Sequence, residues 1–172
     1  IQVGGAVALA GMMPKSQLHV LSVARGRLGD AGAQAIADTA LAEDAYGLSK
    51  LRRLDLSENQ ITACGLAGLL EALGSNTLLR GLDVGGNEQI GSVIFSSTDL
   101  AQQVVDALKA AAGLHDLHLW RCGLSDAACQ LVVSAQPPQL SLLNLAMNPL
   151  SPDLRVRWGR SVRDGQSATI RF

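Results

Sequence analysis

Between Leu51 and Leu78 the apolar positions change their period. Leu51, Leu54, Leu56, Asn59 and Ile61 stand at short fixed offsets, after which Gly65, Leu69, Leu70 and Leu73 follow helical spacing. A switch from a period of about 2 to about 3.6 within one short segment predicts a strand, a tight turn and a helix. A unit of that size cannot bury both its apolar faces alone, so copies are expected on either side.

Copies are present. Leu18, Leu21, Val23, Gly26, Leu28, Gly32 and Ile36 come before it. Leu79, Leu82, Val84 and Asn87 follow, then Leu114, Leu117, Leu119, Cys122, Leu124 and Ala128, then Leu140, Leu143, Leu145, Asn148 and Leu150. The turn positions are 26, 59, 87, 122 and 148, at intervals of 33, 28, 35 and 26.

The uneven intervals have local causes. A helix starting near Asp30 runs into a long return loop holding Tyr46 and Gly47. After Asn87 an insertion, 88–98, carries the apolar residues Val93, Ile94 and Phe95, which either tuck under the loop or form an exposed patch. Ser97, Thr98 or Asp99 would cap the next helix, 99–112, with Val104 and Leu108 facing the sheet. Pro137 and Pro138 end the fourth helix.

The ends fit the same scheme. Ile1, Gly5, Leu9 and Met13 repeat the spacing of Ile61, Gly65, Leu69 and Leu73, so 1–13 reads as the helical half of a repeat without its strand. An open parallel edge at Leu18–Val23 would be a liability, and further repeats or another subunit are expected to cover it. Beginning with Ile, the chain is expected to be part of something longer. Ser151 and Pro152 start a last helix carrying Leu154, Trp158 and Val162, ended by Gly165, and 167–172 can add a strand. The expected organisation is one domain, 1–172, with repeats over 14–150 and a cap over 151–172.

The pattern resembles the leucine-rich repeat family, in its ribonuclease-inhibitor-like class with long strand–helix units. The resemblance implies an α/β solenoid of about five to six repeats, with a curved parallel sheet on the concave face and helices on the convex face. It implies that Asn59, Asn87, Cys122 and Asn148 hydrogen-bond backbone groups at the turns. Gly26 departs from that pattern, which implies a looser first turn.

Side chains alternate along a strand, so the residues between the leucines point into the concavity. Its central column is Ser22, Asp55, Asp83, His118 and Asn144, with Arg53, Asp116 and Arg121 beside it. Neighbouring carboxylates at Asp55 and Asp83 repel each other and attract a cation, so the column is either a solvated polar face or a site for a basic or amphipathic segment of a partner. Trp120 has no leucine-position role. It reads as an interface hot spot worth ~2–4 kcal/mol on binding, or as packing against Met147. The protein-binding candidates are therefore Arg53, Asp55, Asp83, Asp116, His118, Trp120, Arg121 and Asn144, with the insertion after Asn87 as a second contact.

Composition narrows the chemistry. Hydrophobic residues make up 48% and aromatic ones 3%, so aliphatic side chains must fill the core. The net charge of −1 argues against a general nucleic-acid binder. Residues 1–150 hold 9 Lys/Arg against 13 Asp/Glu, while 151–172 hold 5 against 2, a weakly basic end. Cys64, Cys122 and Cys129 match no zinc spacing and read as buried free thiols in the cytoplasm or another reducing compartment. No membrane-spanning stretch is evident.

His115 and His118, three apart on a strand, fall on opposite faces and cannot share a metal. The glycines of Gly81–Asn87 lack the Lys-Ser/Thr of a phosphate loop and are expected to leave a dip in the concave floor. No catalytic, cofactor or metal site is expected. The sequence points to a non-catalytic interaction scaffold, part of a longer repeat protein or a subunit of an assembly, with protein partners. Two alternatives implied by the resemblance are a regulatory module for a GTPase, using Arg25 or Arg121, and a ligand-sensing region of an immune-type receptor or effector.

Overall fold

A computed structural model describes residues 1–13, 16–41, 50–94, 98–161 and 169–172. The loop positions Tyr46 and Gly47, the insertion residue Phe95, the cap candidate Ser97, and Val162, Gly165 and Ser167 lie outside the described residues, as do the side chains of Val93 and Ile94.

Six short strands form one parallel sheet in sequence order: β1 Val20–Ser22, β2 Arg53–Asp55, β3 Gly81–Asp83, β4 Asp116–His118, β5 Leu142–Asn144 and β6 Thr169–Arg171. Their registers place Leu21, Leu54, Leu82, Leu117, Leu143 and Ile170 side by side. Successive strands are joined through helical crossovers, as parallel connections require. The helices are α1 Gln2–Met12, α2 Gly29–Ile36, α3 Ala63–Ser75, α4 Gln89–Ile94, α5 Thr98–Ala110, α6 Asp126–Ser134 and α7 Pro152–Ser161. A π-helical turn, Ala37–Leu41, extends α2.

The core lies between sheet and helices. Leu54, Leu82, Leu117 and Leu143 from the strands meet Ile36, Leu69, Leu70, Val104, Leu108 and Val132 from the helices, all buried. Strands about 4.8 Å apart cannot match helices about 10 Å wide, so the strand face is the concave one. The insertion after Asn87 holds α4, whose Ile90 is buried.

The turns are held by a ladder of buried asparagines. Asn59 Oδ1 accepts from the backbone N–H of Gly26 at 2.6 Å, and its Nδ2 donates to the carbonyl of Val23 at 2.7 Å. Asn87 does the same one repeat on, accepting from the N–H groups of Asn59 and Ile61 and donating to Val84 and Leu56. Asn148 accepts from Cys122 and Leu124 and donates to Leu119 and Leu145. Each asparagine thus satisfies groups in two adjacent repeats. Cys122 keeps the donor half of this role, its Sγ lying 3.4 Å from the Val84 carbonyl. At Gly26 no side chain is available, yet Asn59 Oδ1 fills the space where a Cβ would stand.

One residue before each of the turn positions, Arg25, Glu58, Gly86, Arg121 and Met147 all take positive φ, between 50° and 70°. Only one of the five is glycine. The left-handed turn is imposed by the strand-to-helix connection, which outweighs the roughly 1–2 kcal/mol per residue that a side chain costs there.

The two ends differ. Ser151 Oγ accepts from the N–H of Leu154, and α7 begins at Pro152. Trp158, only 8% exposed, stacks on Phe172 with ring centroids 5.7 Å apart, which closes the core at β6. At the start, Ala6, Ala10 and Met13 of the first helical segment are buried against α2, whereas Ile1 is 58% exposed. Ile1 therefore does not reproduce Ile61, which is fully buried.

Candidate functional site

The strand residues that face away from the helices build the candidate surface. Ser22, Asp55, Asp83, His118 and Asn144 stand in register across β1–β5, as their spacing predicts. Ser22, Asp55, Asp83 and His118 line a shallow cavity of about 290 Å³ together with Arg53, Asp116 and Val20, the last 61% exposed.

The carboxylates are held in place. Asp55 Oδ1 accepts from the N–H of Ser57 and Oδ2 from the Ser22 hydroxyl, at 2.9 and 2.7 Å. Asp83 Oδ1 accepts from the N–H of Gly85 at 2.8 Å, and Asn144 Oδ1 from the N–H of Ala146 at 3.1 Å. An aspartate or asparagine thus closes the same Asx-type turn at the end of three strands. Partial burial of Asp55 works to raise its carboxyl, but the hydrogen bonds from Ser22 and Ser57 and the nearby His118 hold it below the ordinary carboxylate range.

Gly81 lines the shallow cavity and Gly86 the rim, as the expected dip requires, while long side chains of neighbouring strands cross Gly81 and Gly85. Arg53 crosses over Gly81, where a Cβ would sit 3.3 Å from its Cγ, and its guanidinium meets Asp116 at 3.4 Å. Trp120 lies across Gly85, where a Cβ would overlap the indole, and its Nε1 donates to Asp83 Oδ1 at 3.1 Å. The indole is half-buried toward the preceding repeat, while Met147 on the following turn is 70% exposed. Arg121 turns away from the column and pairs with Glu88 at 2.8 Å, and Arg25 with Glu58 at 2.9 Å. Between these two pairs Gly86 leaves a hollow of about 280 Å³ on the rim.

The column and the thiols divide as follows. His118 Nδ1 lies 3.4 Å from Asn144 Nδ2, whereas His115 Nδ1 lies 2.9 Å from the Gly113 carbonyl on the strand-entry side. Among the described residues no three His, Cys, Asp or Glu side chains are grouped to hold a metal. Cys122 and Cys129 are buried, and burial pushes both thiols up to about 12. Cys64 corrects the expectation of three buried thiols. It is exposed, because it sits one step around the first turn of α3 from the buried stripe of Ile61, Gly65 and Leu69. Among the described residues no helix is long and apolar enough to cross a membrane.

Sequence reasoning missed the Asx-type turns and the cover over β3. The spacing Asp-x-Ser at 55–57 and Asp-x-Gly at 83–85 signals the former. The pairing of glycine with a long side chain on a neighbouring strand is visible only once the register is known.

Comparison with known proteins agrees with this geometry. The family described as Leucine Rich repeat matches residues 16–37 and 47–70. Human "NACHT, LRR and PYD domains-containing protein 13" is 28% identical over 144 residues, covering 83% of this chain. The chain spans 13% of the length of that relative. Among solved structures, "Leiomodin-1 Actin-Binding Site 2 (ABS2)" superposes with a TM-score of 0.61 over 96% of this chain and 83% of that one, at 20% identity. Repeated strand–turn–helix units in one parallel sheet, a ladder of turn asparagines and these matches lead to one conclusion: the chain has the leucine-rich repeat fold.

Proposed function

We propose that the chain is a non-catalytic protein-interaction module whose concave face binds a basic or amphipathic segment of a partner protein. One observation carries this reading: Asp55, Asp83 and Asp116 lie on three adjacent strands around one open cavity, beside exposed Val20. The carboxylates of Asp55 and Asp83 are fixed by backbone and side-chain donors, so a partner's ammonium or guanidinium meets an ordered surface. Val20 adds an apolar contact at the edge. A solved neighbour of the same fold is named for an actin-binding site, which illustrates a protein-binding use of the fold; at 20% identity the partner is not carried over. Turn residues Asn59, Asn87, Cys122 and Asn148, with their long units, favour the ribonuclease-inhibitor-like class.

The double variant Asp55→Asn/Asp83→Asn tests this reading. Asparagine keeps the turn acceptor and the shape but removes both charges. In quantitative affinity purification, partners held by the wild type are lost by this variant while it remains folded at the assay temperature. Retention of every partner would overturn the assignment of the concave column.

A further inference from the structure

We propose that the strand-entry edge carries a second docking line, a row of His19, Arg52, Arg80 and His115 that takes the carboxylates of an acidic polypeptide segment running across the strands. Each of these residues immediately precedes the registered set Val20, Arg53, Gly81 and Asp116, so the four occupy one position in four successive repeats. The main chain fixes the stacking. The N–H groups of Arg52 and Arg53 donate to the His19 carbonyl, those of Arg80 and Gly81 to Arg52, and those of His115 and Asp116 to Arg80. Three strand spacings make the row ~14 Å long.

The two arginines are held and still available. Arg52 Nη1 donates to the Leu78 carbonyl at 3.1 Å, and Arg80 Nη1 to that of Gly113 at 2.8 Å, each reaching into the next repeat. A guanidinium has five N–H donors, so most of each fork stays open. Among the described residues, the ion pairs are Arg25–Glu58, Arg53–Asp116 and Arg121–Glu88, and neither Arg52 nor Arg80 has a carboxylate partner. Planar forks at regular spacing fit carboxylates well.

The surroundings select a polypeptide over a nucleic acid. Asp55 and Asp83 lie three residues further along from Arg52 and Arg80, ~10 Å away, turned to the concave face by strand alternation but within about one Debye length at low salt. A uniform polyanion laid on the row would be repelled by that acidic column along its whole length. A polypeptide can set carboxylates over the row and neutral or basic groups over the column. This line stands on different residues from the concave site, so either can fail alone.

The probe is a labelled glutamate-rich peptide followed by fluorescence anisotropy at low salt, with its glutamine analogue and an oligo-dT as references. Arg52→Gln/Arg80→Gln is expected to weaken the glutamate peptide about tenfold, while Arg27→Gln/Arg157→Gln leaves it unchanged. Because the arginines also bind carbonyls, a gain of function guards against a folding defect. Ser141→Arg adds a cation at the next exposed position of the row and is expected to tighten binding several-fold. Equal losses from both arginine pairs, no effect of Ser141→Arg, or tighter binding of oligo-dT than of the peptide would each overturn the proposal.

Discussion

The indole of Trp120 lies across Gly85 of the preceding repeat and donates its N–H to Asp83, the carboxylate that closes the turn before that glycine. An aromatic on one strand end and a missing side chain on the next are two halves of one contact. Gly85→Ala is therefore expected to cost about 1–3 kcal/mol through overpacking. Urea denaturation measures the loss, and a change in tryptophan emission reports displacement of the indole. Trp120→Phe keeps the apolar cover but loses the N–H, with an expected cost near 1 kcal/mol. A Gly85→Ala chain as stable as wild type would show that the indole is free to leave.

Asn59 is fully buried and bonds backbone groups of two repeats. In Asn59→Leu the N–H of Gly26 and the carbonyl of Val23 lose their partner without access to water. Each such group costs about 1–3 kcal/mol, so a loss of at least about 2 kcal/mol is expected. Chemical denaturation checks the value, and Glu71→Gln on an exposed helix position serves as the near-neutral comparison.

The three thiols separate by reactivity. Cys64 is exposed and is expected to react with a thiol reagent in the native chain at neutral pH, while Cys122 and Cys129 react only after unfolding. One thiol titrated in buffer and three in guanidinium chloride is the expected count.

Burial of Cys122 and Cys129 also sets an alkaline limit. Their folded thiols ionise at about 12, against 9.0 for an ordinary thiol. Above pH 9.0 the unfolded chain loses these protons first, so stability falls as pH rises toward about 12 and is fully present below pH 9.0. Replacing both cysteines by alanine is expected to flatten this part of the stability–pH curve, measured by denaturation at a series of alkaline pH values.

Asp55 has the opposite sign. Its carboxyl is held below the ordinary range, so its contribution is present above the unfolded pKa of about 3.9 and is lost as pH falls through the folded value. Ser22→Ala removes one of the donors responsible and is expected to raise the Asp55 carboxyl, readable as a shifted side-chain resonance in a pH titration.

What the sequence determined alone is the repeat. Leucines at strand spacing followed by leucines at helical spacing leave one arrangement in which every unit is buried by its neighbours, and the turn asparagines follow at 59, 87 and 148. These are short-range patterns, and the physics that reads them is local: period, burial and unsatisfied backbone groups. The column Ser22, Asp55, Asp83, His118 and Asn144 was legible for the same reason, since alternation along each strand puts it on one face.

What only the tertiary structure decided depends on lateral register across repeats of unequal length. Whether Trp120 stands clear or lies on Gly85, whether Arg53 reaches Asp116 over Gly81, and whether His19, Arg52, Arg80 and His115 form a row are questions about residues 28 or more positions apart. Cys64 shows the limit at short range too, because one step around a helix exchanges core for solvent. Leu51–Leu78 explains how each unit closes; the contacts between units, built by long side chains crossing glycines, determine the surface that a partner meets.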